Sequence, residues 1–444
     1  MHQRLKRLLL LAALPILLSA QSPPSLDLSM KQAVDMALAP DGNARVQLVQ
    51  EAVKQAQSRV AQARAALLPN LDASVAEQNQ TRNLASFGIS LKIPIPGFQF
   101  PEFVGPFSTF DARASVTQSV FDFGAIRRYQ ASRTAAQAVG GDSETARDEV
   151  ARQVSTLYLA ALRAQARTDA SQADVTLAES LGELAANQKT AGTGTGIEVT
   201  RAKVQLAQAQ QQLLVARSDL RQSQLELLRA IGLRLDTAVR LTGKMDYAPQ
   251  EPVTAAKALE IALATRADWK AQQKREEAAR LSYSGVRLER LPSVVGFADY
   301  GSNGTSIDNS VPTRTVGLSL RVPIFDGGRR DARRSESRSQ YEQERIRTAD
   351  LRKQVELEVQ LALDDLQSSE EQVKVAAEGL DQVQAEVEQA QRRYKAGVSS
   401  SLEVTDAQTR LARARDNRIA ALFLYNRARL DLWQAMGKIR QMVD

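Results

Sequence analysis

The 444-residue sequence carries 58 Lys and Arg against 51 Asp and Glu, a formal charge of +7, with 43% apolar, 25% charged and only 5% aromatic residues. That balance excludes a disordered chain and suits long helices more than a conventional compact core, and acids interspersed with Arg throughout leave no nucleic-acid footprint. There is no Cys and the only His is His2, which excludes disulfides, thiolate metal sites and a lipoprotein-type Cys anchor. It also removes the usual general base, so the sequence points to no enzyme, no metal and no cofactor.

Residues 1–20 read as a secretory signal peptide. Arg4, Lys6 and Arg7 form a basic start, Leu8 to Leu18 a short apolar run, and Ser19-Ala20 a cleavage site. Cleavage would remove three of the positive charges. The run is short for a membrane-spanning helix and Pro15 interrupts it. No later stretch approaches spanning length, so an exported chain without an α-helical anchor is expected.

The rest reads as one unit written twice, over 21–245 and 246–444. With Gly192 placed on Gly397, Ile197-Glu198-Val199-Thr200 falls on Leu402-Glu403-Val404-Thr405, and Ala230-Ile231-Gly232 on Ala435-Met436-Gly437. Upstream, VFDFG (120–124) matches IFDGG (324–328), ALLPNL (66–71) matches ERLPSV (289–294), and MKQAVDMAL (30–38) resembles TAAKALEIAL (254–263). Each half predicts helix, helix, strand, strand, long helix, helix. The class is mainly α with a small β part. The seam lies near 243–252, a stretch of linker composition.

In the first half, strands are expected over about 71–82 and 108–121. Phe110, Ala112, Ala114, Val116 and Val120 alternate with Asp111, Arg113, Ser115, Thr117 and Ser119, with Gln118 the exception. Between these strands an extra Gly-, Pro- and Phe-containing segment, about 85–106, predicts a long loop. A helical hairpin follows over about 124–232. In the second half the strands are expected over about 293–301 and 313–325, where Val316, Leu318, Leu320, Val322 and Ile324 alternate with polar or small residues. Val295 and Phe297 share a face of the weaker partner strand. Period 2 over about ten residues fits either a water-facing sheet on helices or a barrel wall between lipid and an aqueous lumen. If the strands span, four leave two open edges, and several chains must share one barrel.

The last hairpin is expected over about 328–437. Val355, Val359, Ala362, Leu366, Ser369, Val373, Ala376, Leu380, Val383, Val387, Ala390 and Tyr394 step by four and three, a coiled-coil seam with one polar member. Val199, Ala202, Leu206, Ala209, Leu213, Ala216, Leu220, Ser223, Leu227 and Ala230 repeat it. The helix ending near Lys395 would be roughly 100 Å long. The breaks at Gly192 and Gly397 fit helix C-caps, and Thr195-x-x-Glu198 and Ser400-x-x-Glu403 both predict capping boxes.

The duplicated plan resembles the TolC-type outer-membrane efflux protein family. The resemblance is carried by LPNL (68–71) and LPSV (291–294), SVFDFG (119–124) and PIFDGG (323–328), and RRYKAGVSSSLEVTDAQTRL (392–411). It implies a homotrimer with a twelve-stranded outer-membrane barrel continued by a periplasmic helical tunnel. It implies a passive exit duct served by a periplasmic adaptor and an inner-membrane efflux transporter or secretion ATPase. In the family, acids early in the last long helix ring the periplasmic mouth; they fall on Glu403 and Asp406. Glu198 is the first-half counterpart, with Arg201 where a second acid would stand. Tyr394 matches a Tyr that helps keep the mouth shut, but Ser399 occupies the position of its Arg partner, leaving that clasp incomplete. Adaptor-contacting hairpin tips fall on Ala191, Gly192, Thr193 and on Ala396, Gly397, Val398. Small-molecule efflux and type I protein secretion both fit. An exported coiled-coil tether with a small sheet is the rival of another class.

Overall fold

A computed structural model describes residues 26–84, 86, 88, 102–249 and 253–443. The expected signal peptide, most of the loop expected over 85–106, and the end of the inter-repeat stretch lie outside these residues. Short strand β1 (Leu26–Leu28) leads into α1 (Met30–Leu38), α2 (Ala44–Ala65), β2 (Asn70–Asn83), β3 (Phe103–Phe121), α3 (Phe123–Thr190) and α4 (Gly196–Ala230). After β4 (Val239–Leu241) the order recurs as α5 (Ala255–Thr265), α6 (Ala267–Leu288), β5 (Ser293–Gly304), β6 (Val311–Arg321), α7 (Arg329–Lys395) and α8 (Ser401–Ala435), closed by α9 (Ile439–Val443). The expected alternation of helix and strand pairs is present in both halves. The β1–β4 parallel pair and α9 are additions that three- and five-residue segments do not announce.

The four long strands form one antiparallel sheet in the order β2-β3-β5-β6. Directly paired residues share a face, so register separates the two surfaces. One carries the rows Leu71–Val116–Ala298–Val316 and Ala73–Ala114–Tyr300–Arg314, with Leu318 opposite Gly296 and Leu320 opposite Val294. Its side chains face outward: Val316 is 80% and Leu318 75% exposed. The other carries Asp72–Ser115–Asp299–Thr315 and Ser74–Arg113–Gly301–Thr313. There Arg113 donates to Asp299 at 2.7 Å and to both oxygens of Asp111 at 3.1 and 3.0 Å, and Asn303 donates to Asp111 at 3.3 Å. Val295 and Phe297 do share a face, but it is this polar one; the Phe297 ring covers Gly317, where a Cβ would come within 2.6 Å of it.

Two strand boundaries differ most from expectation. The pairing of β6 ends at Arg321 rather than near 325, because Pro292 and Pro323 flank the Ser293–Arg321 pair and neither has an N–H for the ladder. Residues 103–106, expected as loop, begin β3. Beyond a bulge at Gln80/Arg82, β2 continues to Asn83 and supplies their partner, so an available ladder overrides Gly and Pro composition.

The long helices carry the seams. Val355, Val359, Ala362, Ser369, Val373, Leu380, Val387, Ala390 and Tyr394 are buried along α7, and Ala202, Ala209, Leu213, Ala216, Leu227 and Ala230 along α4. With 68 residues α3 is roughly 100 Å long. It packs against α2, α6, α4 and α8 in turn, and so joins the two halves along its length. Around its middle lies the main apolar cluster, where Val150, Val154 and Leu162 meet Leu28, Val34, Leu227, Leu430 and Ile439.

Tyr158 is fully buried in that cluster; its hydroxyl donates to Leu28 O at 2.8 Å and accepts from the Gly243 N–H at 2.9 Å. The inter-repeat stretch then crosses α7 and α8. Tyr247 donates to Glu370 at 2.7 Å, Tyr425 donates to Ala248 O at 2.6 Å, and the two rings lie 5.1 Å apart. Instead of a slack linker, residues 243–248 form a strap held at Gly243 and again at Tyr247 and Ala248. Tyr158→Phe strands the Gly243 N–H and removes one donor from the Leu28 carbonyl, which keeps the Thr242 N–H. It should cost about 1–3 kcal/mol, read as a lowered melting temperature of the detergent-solubilised protein, with no change in helix content.

Candidate functional site

The free ends of the two helical hairpins lie side by side. Leu181, Ala185 and Ala202 of the first pack against Leu380, Val387, Ala390, Tyr394, Val404, Ala407 and Leu411 of the second. The Gln188 amide at the end of α3 donates to Tyr394 O at 3.3 Å.

Both turns close α7 and α3 in the same way. Gly192 and Gly397 have φ of 74° and 73°, the left-handed conformation that favours Gly. The Gly192 N–H donates to Lys189 O and the Thr193 N–H to Gln188 O; Gly397 and Val398 donate likewise to Tyr394 O and Arg393 O. These paired bonds make a Schellman motif, which satisfies carbonyls the helix end would otherwise strand. Ala191, Gly192, Thr193, Ala396, Gly397 and Val398 are all exposed, forming two adjacent small-residue knobs.

The capping boxes do not both form. At the first turn, the Glu198 carboxylate accepts from the Thr195 N–H at 2.8 Å and from its hydroxyl at 3.1 Å, as expected. At the second, the Glu403 side chain leaves its cap and pairs with Arg393 Nε at 3.1 Å across the turn. The reason is local: α7 ends with Arg393 beside the turn, whereas α3 ends with Gln188, Lys189 and Thr190 and offers no guanidinium there. Charge attraction wins over the cap. Asp406 is exposed about one turn further along α8; its charge acts on Arg410, which pairs with Glu386 at 2.6 Å.

Tyr394 is only 3% exposed. Burial, and then the Glu198 carboxylate, raise its phenol above the ordinary Tyr value, so it stays a neutral donor. Among the described residues no group accepts from its hydroxyl, and Ser399 Oγ, Ser401 Oγ and both amide atoms of Gln408 are likewise buried without partners. The structure thus brings Tyr394 and Glu198 into one neighbourhood, places Glu403 and Asp406 on a charged, solvent-facing side of α8, and leaves Ser399 Oγ buried without a partner among the described residues.

Sequence reasoning missed the deeper joint. Gln408 sits in the buried stripe Val404, Ala407, Leu411, and Asp174 of α3 pairs with Arg415 of α8 at 2.5 Å. Burial raises the Asp174 carboxyl, opposed by the Arg415 guanidinium. A Gln interrupting an apolar i, i+3, i+7 stripe was the available signal; the partner of Arg415 lies 241 residues away and leaves none.

The family profile described as "Outer membrane efflux protein" matches residues 37–233 and 258–438. The pyoverdine export outer membrane protein OpmQ of Pseudomonas putida is 24% identical over 74% of this chain and 71% of its own length. The alkaline protease secretion protein AprF of Pseudomonas aeruginosa is 24% identical over 75% and 69%. Among solved structures, the CmeC outer membrane channel of Campylobacter jejuni superposes with a TM-score of 0.77 at 17% identity, covering 92% of this chain and 86% of that one. For VceC of Vibrio cholerae the score is 0.74 at 18% identity, covering 92% and 96%. A profile matched in both halves, carried on a two-hairpin fold with an amphipathic four-stranded sheet, makes this chain a member of the outer membrane efflux protein family.

Proposed function

We propose that the chain is a passive exit duct of an export system, with its sheet in the outer membrane and its hairpins reaching into the periplasm. The observation that carries this reading is the sheet. One face is apolar and exposed, the other polar and cross-linked by Arg113, Asp111 and Asp299, and both edge strands are open. On the apolar face of β6, Val316, Leu318 and Leu320 form an apolar run bounded by Arg314, and Val322, Ile324 and Phe325 extend exposed apolar surface beyond the strand end. Water cannot satisfy open edges inside hydrocarbon, so copies must pair β6 to β2 until the ring closes. Four strands per chain and three copies make a twelve-stranded barrel. The arrangement needs no catalytic group; an inner-membrane pump supplies the energy, and the duct supplies a path and a gate.

The reading gives the tips two roles. The exposed knobs Ala191–Thr193 and Ala396–Val398 receive a periplasmic adaptor, whose own transporter is an efflux pump or a secretion ATPase. Glu403 and Asp406, with Glu198 and Tyr394 beside them, form the mouth's constriction and its seal, and a ring of carboxylates there favours cations. Small-molecule efflux is the preferred cargo class. Protein secretion stands as the second reading because AprF, similar over most of the chain, is named for secretion of a protease.

Two experiments test these assignments. In planar bilayers the reconstituted protein should conduct, and block by a trivalent cation should weaken by about tenfold in the Glu403→Ala/Asp406→Ala variant; unchanged block removes both acids from the constriction. At Gly397 a Cβ meets open space, so Gly397→Ala carries only backbone strain of about 1–2 kcal/mol. It should keep both the trimer and export, whereas Gly397→Phe should keep the trimer and lose export. Loss of the trimer in Gly397→Phe would instead assign that glycine to folding.

A further inference from the structure

The chain passes four times through the end of the sheet that meets the long helices. At each passage exposed apolar side chains stand next to arginine. Beyond β6 the outward alternation of Val316, Leu318 and Leu320 continues through Val322 to Ile324, which is 93% exposed, and Phe325 follows at 87%. Arg329 and Arg330 then open α7. β3 ends at Phe121, whose ring meets Phe123 edge to face at 4.4 Å; exposed Ile126 and then Arg127 and Arg128 come next. Exposed Leu68 follows Arg64 on the way into β2, and exposed Leu291 follows Arg290 on the way into β5.

The charge at this rim is one-sided. Residues 64–70, 122–128, 287–293 and 326–334 together hold nine arginines, no lysine and four carboxylates. At the opposite end of the sheet, residues 77–83, 102–108 and 302–314 hold two arginines against three carboxylates. The four carboxylates of the basic rim are already engaged. Glu289 pairs with Arg128 at 3.4 Å and Arg333 at 2.9 Å, Asp122 also takes Arg128, and Asp331 takes Arg290. Asp326 lies 3.5 Å from Arg330 and 3.9 Å from Arg329. These pairs tie the ends of α3, α6 and α7 together. Arg64, Arg287 and Arg334 are exposed and form no ion pair among the described residues, Arg287 lying only over the Tyr283 ring at 5.9 Å.

Like charges held this close repel one another unless an anion comes among them. The place of the rim says which anion. Apolar surface that ends at Phe325 marks where hydrocarbon stops, and the headgroup layer beyond it is roughly 5–7 Å deep. Arg329 to Arg334 covers about 8 Å of α7. A guanidinium grips two phosphate oxygens at once and is more weakly hydrated than an ammonium, which accounts for arginine at every cationic position. We propose that this rim is a collar for the phosphate groups of anionic phospholipids, with Arg64, Arg287 and Arg334 as binding groups and the acyl chains lying against Ile324 and Phe325. That the lipid belongs to the periplasmic leaflet rests on the export reading above.

The full-length protein, reconstituted in phosphatidylcholine bilayers, is given a trace of spin-labelled phosphatidylglycerol or spin-labelled phosphatidylcholine. The motionally restricted fraction of each is read by electron paramagnetic resonance. The anionic lipid should associate about fivefold more strongly than the zwitterionic one. Arg64→Gln/Arg287→Gln/Arg334→Gln, which breaks no ion pair of the rim, should bring the two lipids to parity. Arg82→Gln/Arg314→Gln at the opposite end should leave the preference intact. Equal association of both lipids with the unaltered protein overturns the collar without any variant, and gives the rim to an acidic protein surface instead. A preference that survives the triple change, or that disappears in the Arg82/Arg314 pair, overturns it as well. A protein that conducts but shows no lipid preference loses the collar alone; one that never enters the bilayer loses the duct reading with it.

Discussion

Every backbone N–H and C=O inside a hydrocarbon layer needs a partner within protein, and this sheet leaves the outer rims of β2 and β6 unpaired. The rest of the architecture follows from that constraint. A chain with two open edges, an apolar exposed face and a polar face bridged by Arg113 is incomplete alone. Closing the sheet with further copies removes the edges, puts Val316, Leu318 and Leu320 against lipid, and turns Asp111, Arg113 and Asp299 toward a common lumen. Polar residues that would be expensive in hydrocarbon then face water, already linked to one another.

Below the sheet the construction changes period but keeps the same economy. The strands hand over to α3 and α7, whose seams of Ala, Val and Leu let helices approach closely over roughly 100 Å. The central cluster at Tyr158 and the strap through Tyr247 and Tyr425 fix the helices at mid-length. Beyond the strap the apolar filling continues toward the tips through Leu181, Val387 and Leu411, interrupted by an Asp–Arg pair, Gln408 and buried hydroxyls.

Much of this was legible in the sequence. Period 2 in Thr315–Ile324 and the four–three steps from Val355 to Tyr394 identify strand and coiled coil because one face of each is committed to apolar contact. Gly192 and Gly397 mark turns because only the left-handed conformation completes their bonds. Illegible were features decided by a distant partner. Glu403 chose Arg393 over its own cap, β3 started early because β2 was there to pair, and Asp174 found Arg415 across the fold. Glu403 shows the limit most plainly: the Ser400-x-x-Glu403 spacing is correct for a capping box, yet a guanidinium nearby outcompetes the cap.

The central claim is that these strands close only by sharing a barrel. The most direct test is the native mass of protein extracted by mild detergent from isolated outer membranes, with and without heating. A trimer in that fraction that falls to a monomer on heating is the predicted result. A monomer or dimer recovered from the soluble fraction and absent from membranes would contradict it, and would make the chain an exported coiled-coil tether with a small water-facing sheet.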